Sequence, residues 1–146
     1  MKNIKLQIKT SILLLSLVFF STSACDKENQ NNIPNVYVSI NINPTSALYS
    51  HLSVIGGWEY LTGGYRGILV YHSSLDEFVA FDRACTYDYK KENARIEVEA
   101  NGLTMIDSCC GSRFLILDGS PVNGPANVSL KQYRTSYDGY NLSIYN

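Results

Sequence analysis

The residues best suited to chemistry are three cysteines in the second half of the chain. Cys85 opens the turn Cys85-Thr-Tyr-Asp-Tyr89, and the neighbours Cys109 and Cys110 lie in Asp107-Ser-Cys-Cys-Gly-Ser112. Two cysteine turns on one β-rich chain can meet as facing loops, and such loops hold either a disulfide or a metal centre. Asp107 adds a carboxylate to the second turn. The two histidines, His51 and His72, fall in no ligand motif and read as surface or strand-end residues. No Gly-x-Ser-x-Gly elbow, phosphate-binding Walker loop or His-Glu-x-x-His pair occurs, so none of these enzyme classes is indicated.

The elements that position these turns read as strands. The chain has 146 residues, enough for one domain with a core, and tyrosine is abundant at 11 residues. Short Val, Ile, Tyr and Thr runs between Gly and Asn punctuation favour β structure. Residues 36–42 alternate and read as a strand that Pro44 ends, and 45–55 read as a loop with a helical turn. Residues 67–71 and 78–82 pair as a hairpin that delivers the chain to Cys85. Residues 95–100 alternate with Ile96 and Val98 inward. Asn101-Gly102 then turns the chain back toward Asp107. Residues 113–117 leave the second cysteine turn, Pro125 excludes a central strand position, and 131–145 form a closing hairpin. The expected fold is all-β, an antiparallel sandwich or partly open barrel carrying a small two-loop subdomain.

Residues 1–24 read as a signal segment: Lys2, Lys5 and Lys9, an apolar run from Ile12 to Phe20, then Ser21-Thr-Ser-Ala24. That run is too short for a bilayer core, which takes about 20 residues. With Cys25 following Ser23-Ala24, the junction resembles a bacterial lipobox, although Thr22 stands where leucine is usual. Acylated Cys25 would anchor the chain to the lipid bilayer of the cell envelope, at the outer membrane or a periplasm-facing membrane. Residues 25–33 then form a polar tether, with a Lys27-Glu28 pair that faintly resembles surface-export signals of Bacteroidetes lipoproteins. Without the three signal lysines the remainder carries nine basic and thirteen acidic residues, a net charge of −4. That balance argues against a nucleic-acid partner.

Three stretches together resemble the Rieske iron–sulfur domain: Phe81-Asp-Arg-Ala-Cys85-Thr-Tyr87, Cys109-Cys-Gly-Ser-Arg-Phe114, and Asp118-Gly-Ser-Pro-Val-Asn-Gly-Pro-Ala126 with Leu130 and Tyr133. The resemblance covers residues 34–146. Its two-iron, two-sulfur cluster is held by Cys₂ on one iron and His₂ on the other. Carried over, those positions fall on Cys85, Tyr87, Asp107 and Cys110, and only Cys85 keeps its kind. Cys109 matches the cysteine that pins the loops by a disulfide in respiratory members, and its partner position falls on Lys90.

The resemblance therefore implies a Rieske-type domain that has lost its cluster and carries no cofactor. Cys85 would be bridged to Cys110 or to Cys109 by a disulfide, with Tyr87 plugging a former ligand slot. Closing a loop of about 25 residues would contribute roughly 3 kcal/mol. Arg83 either pairs with a carboxylate such as Asp107 or stays solvated. The implied function is a membrane-anchored binding or structural module, meeting an envelope protein or small ligand at the loops around Cys85 and Cys110. The alternative is a 2Fe-2S electron-transfer protein with altered ligands drawn from Cys85, Asp107, Cys109 and Cys110.

Overall fold

The computed structural model describes residues 33–146. The signal segment, most of the tether and the lipidation candidate Cys25 lie outside the described residues. Ile33, read as the last tether residue, is buried. Among the described residues no helix is long and apolar enough to cross a membrane.

Among the described residues ten strands form two antiparallel sheets: β1 (Ser39–Ile42), β2 (Trp58–Leu61), β3 (Ile68–Ser74), β4 (Glu77–Asp82), β5 (Ile96–Val98), β6 (Thr104–Asp107), β7 (Arg113–Leu115), β8 (Pro121–Asn123), β9 (Gln132–Tyr137) and β10 (Leu142–Tyr145). The larger sheet runs β1-β10-β9-β4-β3-β2, and the smaller runs β5-β6-β7-β8. A 3-10 helix at Ala47–Ser53 precedes β2. The all-β expectation holds. The larger sheet curls. Gly63, just past one edge strand, sits so near Ile40 on the other edge that an added Cβ would come within 3.3 Å of its side chain.

Strand β3 shows why the sequence folds this way. Its Ile-Leu-Val-Tyr run is buried on both faces. Side chains alternate along a strand, so Leu69 and Tyr71 join a core shared with the small sheet, including Phe81, Met105 and Phe114. Ile68 and Val70 point the other way, into the curl with Phe78, Leu142 and Ile144. The β5–β6 hairpin carries Ile96 opposite Asp107. Its turn is fixed by Asn101, whose Oδ1 accepts the backbone N–H groups of Leu103 and Thr104 at 2.9 and 3.1 Å. Strand β8 was not expected; Pro121 opens it at the outer edge of the small sheet, where no ladder donor is needed.

Where the two sheets meet, Asp82 ends β4 fully buried. Its carboxylate accepts the backbone N–H of Tyr65 (2.6 Å), Arg66 (3.2 Å) and Ala84 (2.9 Å) and the hydroxyl of Tyr133 (2.7 Å). Gly64 has φ +61, and an added Cβ would lie 2.5 Å from the Tyr133 Oη and 2.6 Å from Asp82 Oδ2. Only glycine lets the 63–67 loop approach the carboxylate this closely.

Two sequence expectations change here. Arg83 is buried, and its carboxylate neighbour is Glu97, 4.0 Å from the guanidinium, rather than Asp107; Nε donates to the Ile96 carbonyl at 2.9 Å and the guanidinium stacks 3.6 Å above the Tyr60 ring. A planar guanidinium suits a buried aromatic face, and the more exposed Glu97 adds a charge partner at its outer end. His72 is a buried residue within β3, with Nδ1 2.9 Å from the Leu52 carbonyl and its ring stacked on Phe78. His51 is exposed and lies 3.5 Å from Glu59.

Candidate functional site

The two cysteine turns meet. Cys85 leaves β4 and is completely buried in the core shared by the two sheets. The Thr86 hydroxyl donates to the Val128 carbonyl at 2.8 Å, tying the first loop to the segment that follows the Gly124-Pro125 corner. The second loop is closed at its base by two backbone bonds, Asp107 N–H to Ser112 O at 2.9 Å and Gly111 N–H to Asp107 O at 2.7 Å. Asp107 Oδ1 accepts the Cys109 N–H at 2.8 Å. This tight turn sends the adjacent thiols apart: Cys110 faces Cys85, and Cys109 is exposed.

The Sγ atoms of Cys85 and Cys110 are 3.6 Å apart, and both are free thiols. A disulfide needs about 2.05 Å. Of the two bridges considered from the sequence, the Cys85–Cys110 pair is the one brought together. Cys110 Sγ also lies 3.4 Å from Asp107 Oδ2 and 3.0 Å from the Ser112 hydroxyl. Ser112 is buried and accepts the Ala126 N–H at 2.9 Å, so it couples the second loop to the Gly-Pro-Ala corner.

Tyr87 does not plug the pocket. It is 56% exposed. The residue that enters is Asp88: Cys85, Asp88, Asp107 and Cys110 place one ligand atom each within 4.8 Å of all the others. The reason is local geometry. Residues 86–90 form a run of turns, in which positions three apart share a side, so Asp88 follows Cys85 inward and Tyr87 turns out. An extended chain would have paired 85 with 87.

The Asp88 side chain is only 7% exposed, and neither carboxylate oxygen has a hydrogen-bond donor. Lys91 Nζ stands 3.0 Å from Oδ2, an ion-pair contact without hydrogen-bond alignment. Burial pushes the Asp88 pKa up, but the neighbouring side chains, Lys91 foremost, outweigh it and hold the group below the usual carboxylate range. The Cys85 thiol is pushed far up, first by burial and then by the adjacent Asp107 and Cys110.

The Rieske resemblance implies a [2Fe–2S] cluster, and the residues present do not fit it. The pocket offers two sulfurs and two carboxylates. The chain's two histidines are committed elsewhere, His72 to Leu52 and Phe78 and His51 to Glu59, so no neutral nitrogen pair can serve one iron.

No family model matches the sequence, and no curated protein matches it. Among solved structures, the ferredoxin of carbazole 1,9a-dioxygenase from Nocardioides aromaticivorans IC177 is similar at a TM-score of 0.48 and 15% identity, over 75% of this chain and 97% of that one.

Proposed function

We propose that this chain is a lipid-anchored protein of the bacterial cell envelope, built on a Rieske-type β domain that has given up its iron–sulfur cluster. It serves as a binding or structural module rather than an electron carrier. The observation that carries this reading is the donor set of the two-loop pocket, two thiols and two carboxylates with no imidazole. Anionic oxygen and sulfur donors cannot reproduce the two neutral nitrogens on which a Rieske centre depends. The lipobox-like Ser23-Ala24-Cys25 supports the anchor. The exposed rim of the pocket, Tyr87 and Cys109, is the surface a partner or small ligand would meet.

The test is iron and acid-labile sulfide analysis of full-length protein, purified without oxygen from a host competent in cluster assembly. The expected preparation is colourless and holds neither. Two irons and two sulfides per chain, with a low-temperature paramagnetic signal after reduction, would overturn the reading in favour of an electron-transfer protein with altered ligands. The anchor is checked separately: labelled fatty acid should enter the wild type and not Cys25→Ser, and a soluble, unlabelled wild type would remove the lipoprotein assignment.

A further inference from the structure

We propose that Cys85, Asp88, Asp107 and Cys110 bind one zinc ion, which joins the two loops in place of both the cluster and a disulfide. The proposal rests on the cluster-free reading above and names the ligand of the same pocket.

Three observations carry it. The first is spacing. Two sulfurs bound to one tetrahedral zinc at about 2.3 Å lie roughly 3.8 Å apart. Cys85 and Cys110 are already at 3.6 Å. The second is Asp88, whose side chain is 7% exposed and reaches the other three ligand atoms, while its ion-pair partner Lys91, 3.0 Å from Oδ2, is an exposed side chain out of hydrogen-bond alignment. One misaligned ion pair leaves most of the lone pairs of a buried carboxylate without a hydrogen bond, and a bound ion is one of the standard explanations for such a group. The third is Asp107 Oδ2, whose contact is a Cys110 thiol at 3.4 Å, a weak donor. Oxidation to a Cys85–Cys110 disulfide would take even that proton away and leave two buried carboxylates facing a neutral bridge. A zinc ion would instead take all four groups as ligands; because two thiol protons leave as it binds, the pocket keeps its net charge, and what the carboxylates gain is direct coordination.

Zinc suits the donor set better than the alternatives. Thiolates exclude magnesium and calcium, and zinc accepts mixed sulfur and carboxylate ligands without a preferred geometry of its own. Binding displaces the two thiol protons to solvent, and no electron moves. With four protein ligands and Cys85 completely buried, the site is closed, so the ion is structural rather than catalytic. Cys109 takes no part, because its side chain is on the exposed side of the turn.

The experiment uses the full chain in detergent, reduced and then freed of reductant without oxygen, and titrated with zinc sulfate alone against a chromogenic chelator. One zinc per chain is expected, with two thiols protected from alkylation. Asp88→Asn should weaken binding by about a hundredfold, since even residues behind the ligands are commonly worth 10–100-fold. Cys109→Ser should leave affinity unchanged. Cobalt(II) on the wild type reads the coordination directly, whatever the folding of the variants: a tetrahedral spectrum with a thiolate charge-transfer band is expected. Zinc-free reactive thiols, a Cys85–Cys110 disulfide surviving in protein isolated from the envelope, or affinity lost with Cys109→Ser but kept with Asp88→Asn would each overturn the proposal while leaving the cluster-free reading intact. Iron with labile sulfide would overturn both.

Discussion

Asp82 and the Asp88–Asp107 pair are carboxylates taken out of water, yet only Asp82 is surrounded by donors. Three backbone N–H groups and the Tyr133 hydroxyl converge on it, at 2.6–3.2 Å. Asp107 has one backbone donor and a thiol, and Asp88 has only the exposed Lys91 ammonium, 3.0 Å away and out of hydrogen-bond alignment. The first arrangement is self-sufficient: it holds the end of β4 to the 63–67 loop and to β9, and needs nothing from outside. The second is less fully satisfied, one lysine and a thiol standing where Asp82 has four donors. A carboxylate buried for structure brings its own donors, whereas one buried for a ligand waits for them.

That contrast is broken most decisively at Asp82. Asp82→Ala strands several donors at once, each costing about 1–3 kcal/mol if it stays dry, so a loss of roughly 3–4 kcal/mol is expected. Urea denaturation measures it, and the loss should be the same with and without zinc. The loop pocket should behave in the opposite way. Zinc at about a hundred times its dissociation constant should stabilise the wild type by about 2.7 kcal/mol and Cys85→Ser by nothing. If Asp82→Ala abolished the zinc increment, or Cys85→Ser kept it, the two regions would not be independent in the way their geometry indicates.

The scaffold was more legible in the sequence than the pocket, and the reason lies in range. Doubly buried β3, the alternating β5 and the Asn101-Gly102 turn are written in contiguous residues, whose periodicity and turn chemistry are local. Strand β8 was missed because Pro121 reads as a loop residue and is tolerated only at the sheet edge, which topology decides. Cys85, Asp107 and Cys110 stand at positions that the Rieske pattern marks. Asp88 was missed because the alignment counts residues, while the turn at 86–90 brings position 88 inward. The Asp82 hub left a fainter trace: an acid closing the apolar run Phe78-Val-Ala-Phe81, with Gly63-Gly64 far enough away that only the fold could join them.

Tyr133 sharpens the comparison further, because it is the one side-chain donor at the self-sufficient site. Tyr133→Phe removes a single hydrogen bond to a charged acceptor and should cost about 1.5 kcal/mol. The Tyr133 pKa is raised, first by burial and then by its hydrogen bond to, and the charge of, Asp82. A hydroxyl harder to ionise folded than unfolded contributes stability that is complete below the unfolded value, about pH 10, and is lost as the pH climbs past it. Wild-type stability should therefore fall more steeply above pH 10 than that of Tyr133→Phe. Equal slopes would mean that the hydroxyl is not held by Asp82 in solution.

The smallest effect is expected at Tyr87, and it discriminates between alignment and geometry as accounts of the pocket. If Tyr87 filled the ligand slot that the Rieske pattern assigns to it, Tyr87→Ala would empty a buried volume and cost about 3–5 kcal/mol, as large aromatic truncations in cores do. With the ring 56% exposed, the change should stay within about 0.5 kcal/mol, the range of ordinary surface substitutions. Zinc affinity should not move, because the ligand next to it, Asp88, is held by the turn and by Lys91 rather than by the tyrosine. A large loss of stability with zinc binding intact would put the ring back in the pocket. Intact stability with zinc binding lost would show that the phenol, and not the carboxylate beside it, reaches the ion.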